Sequence, residues 1–136
     1  MTITVRSDEG YLHSIEADGH TFFSDLPEAL GGEGQAPSPH DYFDAALGAC
    51  KAQTLRLHAQ RRGIPLKGIC VEVTRNNTQE ATGHYRLEVR LTLSGTLSTA
   101  QRKELDRVAD HCPVHNLMTT AQVSVTTYLA EEPPLT

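Results

Sequence analysis

Thiols at Cys50, Cys70 and Cys112, imidazoles at His111 and His115, and a carboxylate at Asp41 are the side chains of this sequence whose types and spacing could do chemistry together. Cys50 lies in DAALGACKA and Cys112 in DHCPVHNLM, 62 residues later, a separation that does not prevent contact. The thiolate, not the thiol, is the nucleophile, and a free pKa of about 8.5 leaves only a few per cent ionised at neutral pH. A reactive cysteine therefore needs a nearby cation, hydrogen-bond donors or a helix terminus. Protonated His111 or His115 would supply charge beside Cys112.

Plainer roles stand beside each of these. Cys50 among Ala and Leu also fits a small buried hydrophobe. Cys70 sits in a strand pattern that turns Ile69, Val71 and Val73 to the other face, with no polar constellation at its side, and reads as structural. Cys112 and His115 have C-x-x-H spacing, half of a metal site, with His111 and Cys50 as further ligands. The sequence has no second C-x-x-C or H-x-x-x-H pair to complete a structural zinc site. Asp41 is the third residue after Ser38, where capping a helix explains it without catalysis.

The elements that must position these groups follow from start and stop signals. After the loop GGEGQAPSP, Ser38 is an N-cap, Pro39 fits the first turn and Asp41 completes a capping box. Small and apolar residues then run to RRG-IP, where Gly63 and Pro65 end the helix. Roughly 24 residues at about 1.5 Å each span about 36 Å, comparable with the diameter of a domain this size, so the helix is expected to run through the middle of the fold. A straight helix sets Asp41 and Cys50 about 13 Å apart on opposite faces. A second helix starts at LSTAQ with a Ser98/Gln101 box and runs through Leu105, Val108 and Ala109 towards His111, where Pro113 disturbs it. Residues 69–76 and 85–93 alternate as strands joined by the hairpin loop NNTQEATG, and QVSVTTYLA (122–130) is predicted as a further alternating strand. TITVRS, LHSIEA and HTFFSD are shorter strands, and the tail EEPPLT is expected to fray. The fold class is α+β, with sheets whose apolar faces need helices to cover them.

At 136 residues the chain fits one domain, residues 1–136. Seventeen acidic against twelve basic side chains give a net charge of -5 with no basic run, which argues against a nucleic-acid partner. The polar start and the absence of a long apolar stretch point to a soluble cytoplasmic protein without a membrane partner. Three cysteines in a chain this large do not suggest a secreted disulfide framework, and two that pair in a reducing compartment suggest redox chemistry.

The run GGEGQAPSPHDYFDAALGACKAQTLRLHAQRRGIPL, with ADHCPVH later, resembles the osmotically inducible protein C family and its organic hydroperoxide resistance relatives, over about residues 13 to 130. The resemblance implies an OsmC-like fold: an intertwined α+β homodimer with antiparallel sheets packed around long central helices. It implies thiol-dependent reduction of organic hydroperoxides without a cofactor, with Cys50 as the peroxidatic and Cys112 as the resolving cysteine, and reduction of their disulfide by an external dithiol, a dihydrolipoyl protein or a small thiol. In well-described members a glutamate ahead of the first cysteine pairs with an N-terminal arginine. Here His40 occupies that position with Asp41 next to it, as an electrostatic or structural helper, and Arg6, the only arginine before Arg56, has unmatched flanks. A different reading keeps the fold and makes it a dimeric binding protein for a lipid-like or other small ligand, with redox-sensitive cysteines.

Overall fold

A computed structural model of the chain describes residues 1–131. Strands β1 (Ile3–Arg6), β2 (His13–Ala17) and β3 (His20–Ser24) form an antiparallel meander in that order. Its second turn is fixed by Asp18-Gly19, two residues with φ of 49° and 81° between the paired Ala17 and His20. Positive φ at both central positions is what a two-residue hairpin requires, and Asp-Gly supplies it cheaply. The loop that follows closes on buried Asp25, whose carboxylate accepts from the backbone N–H groups of Leu26 and Gln35 at 2.7 and 2.9 Å.

Helix α1 (Pro39–Arg62) has the expected limits. Ser38 Oγ accepts from Asp41 N, the Asp41 carboxylate accepts from Ser38 N, and Gly63 closes the C-terminus with φ 65°. One stripe of this helix is buried: Asp44, Leu47, Lys51, Leu55 and Ala59, spaced three, four, four and four residues apart. Strands β4 (Leu66–Asn76) and β5 (Arg86–Gly95) form the expected antiparallel hairpin, pairing Ile69 with Leu93, Val71 with Leu91 and Val73 with Val89. That half-buried face packs on α1. At Gly48 an added Cβ would stand 3.1 Å from Val73 Cγ2, so the small residue there lets helix and strand approach closely. Helix α2 (Thr99–Ala109) opens on the Ser98/Gln101 box and lays Leu105 and Ala109 against Leu55, Ala59, Ile64 and Leu66, which together form the core.

The hairpin is also held to α1 by polar groups. Asp44, buried on the apolar stripe, accepts from Arg75 Nε at 2.6 Å and from the Tyr85 hydroxyl at 2.7 Å, and Arg75 reaches on to Asp41. Burial, reinforced by hydrogen bonding to Asp44, pushes the Tyr85 pKa up to about 12. The backbone N–H of Ser38 and then the Arg75 guanidinium hold Asp41 below its ordinary carboxylate value.

Two expectations are corrected. The segment 122–130 alternates as predicted but is no strand: it is exposed throughout and pairs with neither sheet. Alternation prepares a strand, but ladder hydrogen bonds to an edge define one, and this segment meets no edge among the described residues. The second helix ends at Ala109, short of His111, and Pro113 does more than disturb it: as the first residue of a further helix, α3 (Pro113–Thr119), it starts a new turn where its missing N–H costs nothing. The tail expected to fray lies, from residue 132, outside the described residues.

Leu55 is fully buried and Leu57, two residues on, is 47% exposed. Leu55→Ala is expected to lower unfolding free energy by about 2–5 kcal/mol and Leu57→Ala by no more than about 0.5 kcal/mol, measured by chemical denaturation. Equal losses would place the core elsewhere. Because Tyr85 is favoured neutral in the folded state, its contribution is complete below the ordinary tyrosine value of 10.0 and is lost as pH rises through about 12. Phenolate absorbance should show a late-ionising tyrosine that is absent in Tyr85→Phe. A titration in which Tyr85→Phe loses an ordinary step instead would contradict the clamp.

Candidate active site

Cys50 sits on α1 four residues after Ala46 and eight after Tyr42, a spacing that puts all three on one helix face. Along that face an apolar groove of about 750 Å³ runs between α1 and the N-terminal meander, lined by Ile15, Phe22, Pro39, Tyr42 and Ala46 among others. Tyr42 fixes its wall by donating its hydroxyl to the Phe23 carbonyl. The Cys50 thiol, one turn beyond Ala46, is part-exposed.

Cys112 is brought to it by the α2–α3 turn. It is the N-cap of α3, and its sulfur accepts from the His115 N–H at 3.4 Å. The residue is fully buried. Burial pushes the Cys112 pKa up and the neighbouring Cys50 adds to this, while the His115 N–H and the Lys51 ammonium act against it. The fold therefore makes Cys50 and Cys112 neighbours. Cys70 is apart from them, exposed on the outer face of β4 opposite Thr92.

The remaining sequence candidates are placed less centrally. Helix α1 is continuous from Pro39 to Arg62, so Asp41 stays on the face away from Cys50, engaged with Ser38 and Arg75. His111 donates through Nδ1 to the Arg107 carbonyl, 2.7 Å away and on the surface. His115 turns Nδ1 to Lys51 Nζ at 2.9 Å. Among the described residues no three His, Cys, Asp or Glu side chains converge as metal ligands.

Lys51 was not singled out in the sequence, although it follows Cys50 directly. Its side chain is only 3% exposed, its ammonium donates to the Ala109 carbonyl at 2.7 Å, and Asp110 Oδ1 stands 3.7 Å away. Asp44, Arg75 and Tyr85 were missed too. The signal available was periodic: Asp44 and Lys51 occupy the same stripe as Leu47, Leu55 and Ala59, and a charge on an apolar stripe demands a partner. Lys51 and His115 also line a cavity of about 820 Å³ between α1, the hairpin and α3, whose lining includes His40 and Glu80, 2.7 Å apart.

The chain resembles several solved structures. An OsmC-like protein from Mycoplasma pneumoniae superposes with a TM-score of 0.72 at 22% identity, over 88% of this chain and 86% of that one. An organic hydroperoxide resistance protein OsmC from Legionella pneumophila is 28% identical, with a TM-score of 0.61 over 88% and 90% of the two chains. The organic hydroperoxide resistance protein OhrB of Bacillus subtilis gives 23% identity and 0.58 over 88% and 92%. No curated protein matches the chain. The family model described as OsmC-like protein matches residues 32–127, from the loop before α1 through both site cysteines and beyond α3, and the chain accordingly belongs to the OsmC-like protein family.

Proposed function

We propose that the protein is a thiol peroxidase that reduces organic hydroperoxides to alcohols in the cytoplasm, with Cys50 as nucleophile and Cys112 as resolving thiol. The observation that carries this reading is the unequal burial of two neighbouring cysteines: Cys50 is part-exposed and Cys112 is fully buried. A peroxide arriving from solvent meets Cys50 first. The Cys50 thiolate attacks one peroxide oxygen, the O–O bond breaks, and the other oxygen leaves with a proton as the alcohol. Cys50 becomes a sulfenic acid. The Cys112 thiol then displaces water from it to form the disulfide, and an external dithiol, a dihydrolipoyl protein or a small thiol, returns two electrons by exchange. The apolar groove ending one turn before Cys50 suits the organic part of such a substrate. Kinship with organic hydroperoxide resistance proteins, one at 28% identity, supports the same chemistry. Asp41 has its part through the clamp that fixes α1, rather than at the thiol.

The active form on this reading is a homodimer. The segment 122–130 exposes Val123, Val125, Tyr128 and Leu129 at 64, 83, 84 and 99%, with Val123, Val125 and Leu129 on one face of an extended chain in need of an edge. A second copy offers one, and burying such side chains gives association its driving force. Sedimentation at micromolar concentration should find a dimer, and removal of residues 121–136 should weaken it at least tenfold. A monomeric full chain would overturn this part of the reading.

A second reading, a binding protein for a lipid-like ligand with redox-sensitive cysteines, draws on the same groove. Substitution separates the two. Cys50→Ser should abolish consumption of cumene hydroperoxide, since a serine hydroxyl has no comparable anion population at neutral pH. In the absence of added thiol Cys112→Ser should stall after about one equivalent per chain as the Cys50 sulfenic acid, or about two where excess peroxide carries it on to sulfinic acid. Cys70→Ser should turn over nearly as the unaltered protein does. Full activity in Cys50→Ser would eliminate the peroxidase, whereas undiminished turnover in Cys112→Ser without a rescuing thiol would eliminate only the resolver.

A further inference from the structure

Lys51 presents a physical problem that the two-thiol chemistry does not by itself explain. An ammonium with 3% side-chain exposure has given up its water and must be compensated. Its neighbours are the Ala109 carbonyl at 2.7 Å, His115 Nδ1 at 2.9 Å and Asp110 Oδ1 at 3.7 Å. Those three residues flank Cys112 on both sides. The same lysine is joined through the chain to Cys50. One buried cation thus ties the turn that carries the buried thiol to the helix that carries the part-exposed one. The charged and titratable groups around Cys112 are Cys50 and Lys51 from α1, Asp110 from the α2–α3 turn and His115 from α3. Lys51 is the lone fixed cation of that set, and Asp110, largely exposed, offsets it only in part.

We propose that Lys51 is the positioning residue of the resolving step, holding the Cys112 turn against Cys50 and supplying the charge that favours the Cys112 thiolate when it attacks. This rests on the peroxidase reading above. In the step, Cys112 sulfur attacks the sulfenic sulfur of Cys50, the S–S bond forms and the S–O bond breaks. Hydroxide leaves and, with the proton given up by the Cys112 thiol, becomes water. The two sulfurs end at the same oxidation level, so no further oxidant or reductant enters. Burial alone would keep Cys112 protonated and the step slow, and the Lys51 charge opposes that effect.

The test follows disulfide formation in the full chain after one equivalent of cumene hydroperoxide, quenched with acid and read by mass, between about pH 5 and 9. Lys51→Gln keeps a donor for the Ala109 carbonyl and removes the charge, whereas Lys51→Met removes both. Both should move the midpoint of the rate–pH profile upward by on the order of one unit. Near neutral pH this slows disulfide formation about tenfold, and sulfenic acid should accumulate on Cys50, passing to sulfinic acid when a second equivalent of hydroperoxide is added. Asp110→Asn, at an exposed position that folding tolerates, should move the midpoint the other way by a few tenths of a unit. If both Lys51 variants lower the rate without moving the midpoint, the lysine only supports structure and the proposal fails. It fails equally if Asp110→Asn leaves the midpoint in place or raises it, and this arm decides the matter should the Lys51 variants not fold. An unaltered protein that forms no Cys50–Cys112 disulfide at any pH would instead bring down the peroxidase reading itself.

Discussion

The structure depends on one stripe of one helix. Along α1 the side chains of Asp44, Leu47, Lys51, Leu55 and Ala59 are buried together, and two of the five are charged. The apolar members meet the hairpin and α2 through non-directional contacts, which would tolerate some sliding. The two charges do not, because a buried ion stripped of a partner costs about 3–5 kcal/mol. Asp44 thereby fixes the β4–β5 hairpin through Arg75 and Tyr85, and Lys51, seven residues or two turns later, fixes the α2–α3 turn through Ala109 and His115. A helix of 24 residues becomes a rigid ruler with elements pinned at two heights. Cys50 lies between those pins in height but off the buried stripe, one turn beyond Ala46 of the groove wall, and is part-exposed.

Much of this was legible in the sequence, and what was missed has a definite cause. Both capping boxes, Ser38/Asp41 and Ser98/Gln101, are local interactions closed within four residues, and both are present. The hairpin alternation from Ile69 to Leu93 is likewise local in origin and appears in register. The two thiols were linked by resemblance rather than by pattern, since no periodicity spans the residues between positions 50 and 112. Arg75 and Lys51 escaped because each looks like a solvated charge until its tertiary partners, 31 and 58 residues away in sequence, are known. The α3 helix escaped because Pro113 was weighed as an end signal, and a cysteine is not among the usual N-caps that would have marked it as a start. The strand predicted at 122–130 shows the converse limit: its pattern is intrinsic to the segment, its ladder is a property of whatever edge it meets.

Asp41 illustrates how a plausible catalytic assignment yields to geometry. Its carboxylate is committed twice, to the Ser38 N–H and to the Arg75 guanidinium, and both commitments hold it ionised. An acid so engaged makes a poor proton donor or acceptor near neutral pH. Set on the opposite face of an unbroken helix from Cys50, it can influence that thiol only by keeping α1 in place. The cation near the thiols comes instead from the residue after Cys50, on a face about 100° round the helix.

On the proposed function, the unequal burial of the two cysteines would constrain the return half of the cycle as well as the forward one. With Cys50 and Cys112 bridged, an external dithiol would approach at Cys50, the part-exposed residue of the pair. Attack there makes Cys112 the leaving thiolate, and a thiolate leaves faster the lower its pKa. Burial works against this departure just as it works against the resolving attack, because in both the charge on Cys112 must appear in a dry setting. The same two features answer it in both directions: the His115 N–H at 3.4 Å and the Lys51 ammonium held among residues 109, 110 and 115. Burial shields Cys112 from direct oxidation, and the nearby cation lets a shielded thiol still ionise when its partner needs it. Neither property alone would serve a resolving cysteine, since an exposed one is open to oxidation and a buried one without charge support does not react. On the proposed function the residue after Cys50 would supply that support, so that one helix would both present the nucleophile and carry the means of regenerating it.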